Sequence, residues 1–284
     1  MTKTNKQKPT LTAPLWLKKV FGILEYLSPF LTSRLATYLF FTPIRFKSPI
    51  SENTLYKSAE KSYLKYKKKK VQIYQWGNSK QAVLLVHGWA GRATQIAQLA
   101  KPLIASGYKI YAFDAPAHGR SEGKQTNLME FTELIQKLTS MHPEIKAIIG
   151  HSMGGTASIN ALVQGVKTDK CVIIGTPAYT EWILTAFCEQ IQVSTKVEIL
   201  MKAYIERKFN RTFKDLNNSS MVKDINSEGL IIHCEDDIDA PVEDASIIHK
   251  NWKNSTLVLT KGLGHRRILK NKAIAQSIID FLKN

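Results

Sequence analysis

Ser152 stands in Gly150-His151-Ser152-Met153-Gly154, a G-x-S-x-G arrangement directly after the apolar run Ala147-Ile148-Ile149 and at the head of a helical pattern over 152–164. A serine at the tip of a sharp strand-to-helix turn projects its hydroxyl away from the main chain. The start of the helix aims backbone N–H groups at developing negative charge. This is the chemistry of nucleophilic attack on a carbonyl, and serine is too weak at neutral pH to act without a base. His265, in Gly262-Leu263-Gly264-His265 beyond the strand pattern 256–260, is the candidate base. With parallel strands it lies on the same side of the sheet as Ser152, placed to take the hydroxyl proton and return it to the leaving group. A carboxylate to hold the imidazole should follow the strand pattern at 229–233, where Glu235, Asp236, Asp237 and Asp239 offer four choices. Like charges repel, so one should turn inward and the others to solvent. The residue types alone do not select it.

The loop His87-Gly88-Trp89-Ala90-Gly91 follows another apolar run, 82–87. It is expected to bring the Trp89 N–H to the same oxygen as the Met153 N–H, giving two donors for an oxyanion. His87, His118 and His151 are read as residues that fix turns and pack the elbow. They show no compact ligand spacing, so no metal and no cofactor is expected.

These groups need a frame. From Val71 onward, strand patterns at 71–76, 82–87, 108–113, 146–150, 170–175, 229–233 and 256–260 alternate with helix patterns near 94–105, 126–139, 152–164, 242–250 and 267–282. Continuous apolar runs suit strands buried on both faces, and the alternation predicts an α/β fold with a mostly parallel central sheet and helices on both faces. About 50 residues separate the runs ending at Gly175 and beginning at Gly229, with helical patterns at 180–192 and 195–209. A loop that long without structure is rare, so 176–228 is expected to be an inserted helical cap. The organisation read here is a basic, partly amphipathic extension over 1–60, a core from 61–175 and 229–284, and that cap. Trp182, Phe187 and Tyr204 are its candidates for lining an apolar pocket.

The net charge of +17 belongs mainly to the N-terminal part, where residues 1–80 hold 16 Lys or Arg against three Glu, a net +13. The remaining +4 over 204 residues gives poor support to a nucleic-acid-binding face. Leu15 to Phe41 is aromatic and apolar but interrupted by Lys18, Lys19, Glu25 and Arg34, so it reads as one or two amphipathic helices without a membrane span. Such helices either cover the core or lie on an anionic membrane surface, with Trp16, Phe21 and Leu24 supplying apolar contact. The run Lys67 to Lys70 reads as a solvated approach to the first strand. Three widely spaced cysteines, Cys171, Cys188 and Cys234, fit buried thiols in a reducing compartment, hence the cytoplasm, peripheral at the inner face of a membrane where the extension binds lipid. Oligomeric state is not legible.

Five segments, V-L-L-V-H-G-W at 83–89, D-A-P-A-H-G-R-S at 114–121, G-H-S-M-G-G at 150–155, H-C-E-D-D-I-D-A-P at 233–241 and G-L-G-H at 262–265, together resemble the α/β-hydrolase superfamily over about residues 71–284. In relatives the fourth segment commonly reads H-G-x-D-D-x-x-V-P, and its second consecutive aspartate is the triad acid. The resemblance therefore implies Asp237, with Asp236 and Asp239 as alternates because Cys234 and Ala240 depart from the pattern. It also implies Trp89 and Met153 as oxyanion donors and a cap between the sixth and seventh strands of the family. The expected activity is hydrolysis of a carboxylic ester, hydrophobic or lipid-like, through an acyl-enzyme on a small-molecule acyl substrate. Amide, thioester or carbon–carbon bond cleavage are alternatives the same triad supports. A non-enzymatic scaffold at a membrane is the alternative from a different class.

Overall fold

Val83, Leu84, Leu85 and Val86 are all fully buried, and alternate members face opposite sides of the same sheet: Leu84 and Val86 join one apolar cluster, Val83 and Leu85 another. A strand with no polar face must be covered twice, and this dictates the architecture. A computed structural model describes residues 13–284. The first part of the basic extension, with Lys3, Lys6 and Lys8, lies outside the described residues.

The eight strands are β1 (Glu60–Tyr66), β2 (Lys69–Trp76), β3 (Ala82–Val86), β4 (Lys109–Phe113), β5 (Ile145–His151), β6 (Lys170–Ile174), β7 (Glu228–Cys234) and β8 (Ser255–Thr260), in spatial order β1-β2-β4-β3-β5-β6-β7-β8. The two pairs made by β2 are antiparallel, and the sheet is parallel from β4 to β8. β1 is an addition to the seven strands read from the sequence. Lys67 and Lys68, read as part of a solvated approach, form the turn of the β1–β2 hairpin, with φ of 42° and 64°. Two consecutive left-handed residues are the mark of a tight hairpin, a turn that Asn-Gly advertises and Lys-Lys conceals.

Helices α1 (Leu15–Leu27), α2 (Pro29–Phe40) and α3 (Asn53–Ser58) precede the sheet. Of those that follow, α4 (Ala93–Ile96), α5 (Ala100–Ala105), α6 (Leu128–Met141) and α7 (Met153–Val163) fall between the early strands. Next come α8 (Glu181–Ile191), α9 (Thr195–Phe209) and short α10 (Asn218–Met221), all between β6 and β7, then α11 (Val242–Asn251), α12 (Gly264–Arg267) and α13 (Lys272–Lys283). One sheet face packs on α6, α7 and α11 through residues such as Phe131, Ile159 and Ile248. The other packs on α4, α5 and α13 through Ile96, Leu103 and Ile278.

The inserted helices α8 and α9 have their own apolar cluster, and the N-terminal helices share it. Phe21 of α1, Ala36 of α2 and Phe41 are buried with Leu184, Val197, Met201 and Phe213. The α1–α2 hairpin is thus a part of the cap layer. Ser28 ends α1 and caps α2, accepting the Leu31 N–H, and Pro29 follows at the first turn where its missing N–H costs nothing. Several contacts tie the extension to the sheet domain, two clusters of side-chain hydrogen bonds among them. Arg45 donates to the carbonyls of Gly119, Ser121 and Gly123. Glu52 forms a buried, two-pronged ion pair with Arg92 at 2.6 and 2.7 Å and accepts from the Thr94 hydroxyl.

Candidate active site

Strand β5 ends at His151 and α7 begins at Met153, so Ser152 is the whole turn between them. It takes φ 54° and ψ −122°, a conformation L-residues avoid, and is held there by its N–H to the Ile174 carbonyl at 2.8 Å. Strain of this kind is stored where surrounding contacts over-determine the backbone. Met153, as the first residue of α7, presents an N–H for which the helix has no acceptor. The 87–91 loop lies directly against the serine. A β-carbon at Gly88 would sit 3.0 Å from Ser152 Cβ, so only glycine lets the loop come this close without displacement. Trp89 and Met153 both line the cleft that holds Ser152, and among the described residues neither N–H has a backbone acceptor.

Two histidines shape that loop. His87 Nδ1–H donates to the Gly88 carbonyl at 2.7 Å, while its Nε2 accepts the Ala115 N–H at 3.0 Å. His118 Nε2 accepts the Ala90 N–H at 2.9 Å, and its Nδ1–H donates to the Pro116 carbonyl. Burial lowers the pKa of both, so each is a neutral bracket between two loops. Asp114 completes the bracing by accepting from Ala93 N, Arg120 N and the Tyr74 hydroxyl.

Opposite, the four carboxylates divide. Asp237 turns inward with its side chain only 1% exposed, and its Oδ2 accepts from His265 Nδ1 at 2.7 Å. Its other oxygen accepts the Asp239 and Ala240 N–H groups, both at 2.9 Å. Burial works against the charged form of Asp237, but the hydrogen bond and charge of His265 outweigh it, and the pKa falls below the ordinary 3.8. Glu235 and Asp236 are exposed, and Asp236 accepts the Gly262 N–H, so neither reaches the imidazole. The backbone of Asp239 serves the Asp237 carboxylate.

His265 lies in a one-turn helix, α12, where the sequence reads as a loop. With Nδ1–H committed to Asp237, Nε2 is the nitrogen left for a proton from serine. Ser152, His265 and Asp237 share the wall of one cleft of about 1610 Å³. Ser152 and His265 are not hydrogen-bonded to each other among the described residues, and contacts of this type commonly tighten only as substrate binds.

Three further residues shape the surroundings of the pair, and of these Gly175 is not singled out by sequence. Gly175, just past β6, adopts φ 57°, and a β-carbon there would lie 3.1 Å from His265 Nδ1 and 3.2 Å from Asp237 Oδ2. His151 Nε2–H donates to the His265 carbonyl at 2.8 Å with the two rings 4.6 Å apart, and burial followed by the nearby His265 charge pushes its pKa down to about 3. Cys234, standing where the pattern has glycine, is fully buried and its sulfur accepts the Gly264 N–H at 3.0 Å. The substitution fastens the end of β7 to the loop carrying His265.

The cleft walls are largely apolar and include the aromatic side chains of Trp89, Phe40, Trp182, Phe187, Phe209 and Phe213. Tyr204, the third aromatic candidate from the cap, is instead covered by the Arg34 guanidinium at 3.8 Å. Among the described residues, no group of His, Cys, Asp and Glu is arranged to hold a metal ion.

Residues 77–263 match the family described as Hydrolase_4, serine aminopeptidase S33. The chain belongs to this family of α/β hydrolases. Within this S33 hydrolase, an 81-residue stretch is 35% identical to a monoacylglycerol lipase of Mycolicibacterium smegmatis, covering 26% of this chain and 29% of the lipase. The match therefore spans less than a third of that relative. A hydrolase of Bacillus subtilis is 23% identical over 248 residues, covering 72% of this chain and 90% of its own. Among solved structures, an esterase of Pyrococcus furiosus superposes with a TM-score of 0.65 at 21% identity, covering 85% of this chain and 96% of the esterase. An esterase of Exiguobacterium antarcticum gives 0.61 at 17% identity, covering 79% and 100%. These two likenesses concern the fold, and the S33 hydrolase is a serine-hydrolase-type enzyme at the level the family defines.

Proposed function

We propose that this hydrolase cleaves carboxylic esters with a hydrophobic acyl group, using Ser152 as nucleophile, His265 as general base and acid, and Asp237 as the carboxylate that orients His265. The observation that carries the reading is the 2.7 Å His265–Asp237 hydrogen bond in the same cleft as a serine held at a strained strand-to-helix turn. Ser152 Oγ attacks the ester carbonyl carbon while His265 Nε2 accepts its proton. The carbonyl oxygen, now an oxyanion, is stabilised by the Trp89 and Met153 N–H groups. As the carbon–oxygen bond breaks, His265 returns the proton to the departing alcohol. A water molecule, deprotonated by His265, then attacks the acyl-Ser152 carbonyl, and the acid leaves with Ser152 reprotonated. Ionised Asp237 stabilises the imidazolium formed in each half.

The walls of the cleft support this substrate class. Apolar, aromatic lining rewards an acyl chain through burial at roughly 25 cal/mol per Å². The family description as an aminopeptidase favours amide cleavage as the second reading. Both are tested by turnover of p-nitrophenyl esters of increasing chain length, with amide and thioester analogues alongside. We expect kcat/KM to rise with acyl length through the medium chains and to exceed that of the matched amide. Faster amide than ester turnover would favour the second reading. D237A should lose about 10³-fold or more in kcat, with D236A and D239A retaining near-full activity; the reverse would move the acid role.

A further inference from the structure

Between residues 15 and 31 the cap layer presents apolar side chains outward. Leu15, Trp16, Ile23, Tyr26 and Leu27 on α1 and Leu31 on α2 are each more than 60% exposed. Trp16, Ile23 and Leu27 recur at helical spacing on one face of α1, while Phe21 on the other face is fully buried in the cap cluster. The hairpin is therefore apolar on both sides, and its inner side already has its partner. Exposed apolar side chains grouped in this way on an outer face mark a contact surface.

Three observations identify what covers it. The first is charge: residues 1–50 carry eight Lys or Arg against the single acid Glu25, which is occupied with Ser194. The second is length: α1 has 13 residues and α2 has 12, too short to cross a bilayer, and no described helix is long and apolar enough to do so. An amphipathic helix with Trp and Tyr on the apolar face and lysines beside it lies in the plane of a lipid interface. The third is continuity with the cleft. Leu17 and Lys18 of α1, and exposed Ile44, Phe46 and Lys47 beyond α2, line the same cleft as Ser152.

We propose that the α1–α2 hairpin docks in the plane of an anionic lipid leaflet, and that hydrophobic ester substrates pass from that leaflet along the Ile44 and Phe46 edge to Ser152. The delivery role rests on the esterase reading above; the docking role does not. Lys19 and Lys47 meet lipid headgroups while Trp16, Ile23 and Leu31 enter the acyl boundary. The substrate then never has to cross water, and the enzyme's apolar cleft fills from its membrane side.

The test uses the purified full chain with vesicles of phosphatidylcholine alone, or containing about 30% phosphatidylglycerol. Sedimentation should show wild type bound to the anionic vesicles about tenfold or more tightly than to neutral ones, with the difference removed by high salt. The variant W16E/I23E/L31E should lose about tenfold or more of this binding, while hydrolysing a soluble short-chain ester at the wild-type rate. Its turnover of a long-chain ester embedded in the vesicles should fall with its binding. W16E alone, a smaller surface change, should show the same effects in part. Absence of wild-type binding, equal binding by the triple variant, or preference for neutral vesicles would overturn the proposal. So would a wild-type dimer that the triple variant converts to monomer without any vesicle binding, which would assign the patch to a second copy of the chain. Vesicle binding by a wild type inert toward soluble esters would support docking and overturn the esterase reading with its delivery role.

Discussion

Gly175 supports the candidate triad from beneath by having no side chain. A methyl group there would press on both partners of the His265–Asp237 hydrogen bond, and φ 57° penalises any L side chain. We expect G175A to fold and to lower kcat by about tenfold or more with little change in KM, because displacement of a reacting group by a fraction of an ångström is costly. Steady-state kinetics on soluble esters checks this; a wild-type kcat would show that the pair tolerates displacement. At this scale the sequence is informative about which residue types can react and poor about what surrounds them. Ser152 and His265 are legible because strand-end motifs announce them. Only resemblance prefers Asp237 over its neighbours in the sequence, because four acids within five residues look alike until one of them is buried. Gly175 reads only as the end of a strand, and nothing local reveals that the side chain of residue 265 returns to it.

The element that couples the N-terminal extension to the chemistry is the segment from Arg45 to Glu52. Arg92 follows the 87–91 loop directly, and its guanidinium is held by Glu52, with 10% and 3% side-chain exposure. Removing one partner of a buried ion pair strands the other, so E52Q is expected to cost about 3–5 kcal/mol of stability, read by urea denaturation. A loss near zero would mean that the extension is not fastened to the 87–91 loop in this way. The strands and helices of the core were legible because buried strands and amphipathic helices repeat at different periods. β1 was not, since its burial is slight and its turn is made by two lysines. Nor was the partnership of α1 and α2 with α8 and α9, which joins residues far apart in the chain: an apolar helical face predicts burial but does not name what it is buried against.

Across the whole molecule, three histidines brace the site while buried and neutral. Burial lowers the pKa of His87, His118 and His151, with His151 at about 3 against an ordinary 6.5. An unfolded chain binds protons at these groups below 6.5 and the folded one resists, so the stability they contribute is full above that pH and is lost as pH falls. Denaturation midpoints should therefore drop between pH 7 and pH 5.5, approaching about 1.4 kcal/mol per pH unit for each histidine that titrates. A flat or rising profile over that window would contradict buried neutral imidazoles. The positive charge lies mostly in the first 80 residues, apart in sequence from these histidines, and it is the charge on which the proposed lipid docking draws. Covalent labelling by an alkyl fluorophosphonate with mass-spectrometric localisation tests most directly whether Ser152 is the nucleophile. We expect one adduct per chain, on Ser152, absent in S152A and formed about 100-fold or more slowly in H265A. An adduct on another residue, or undiminished labelling of S152A, would contradict it.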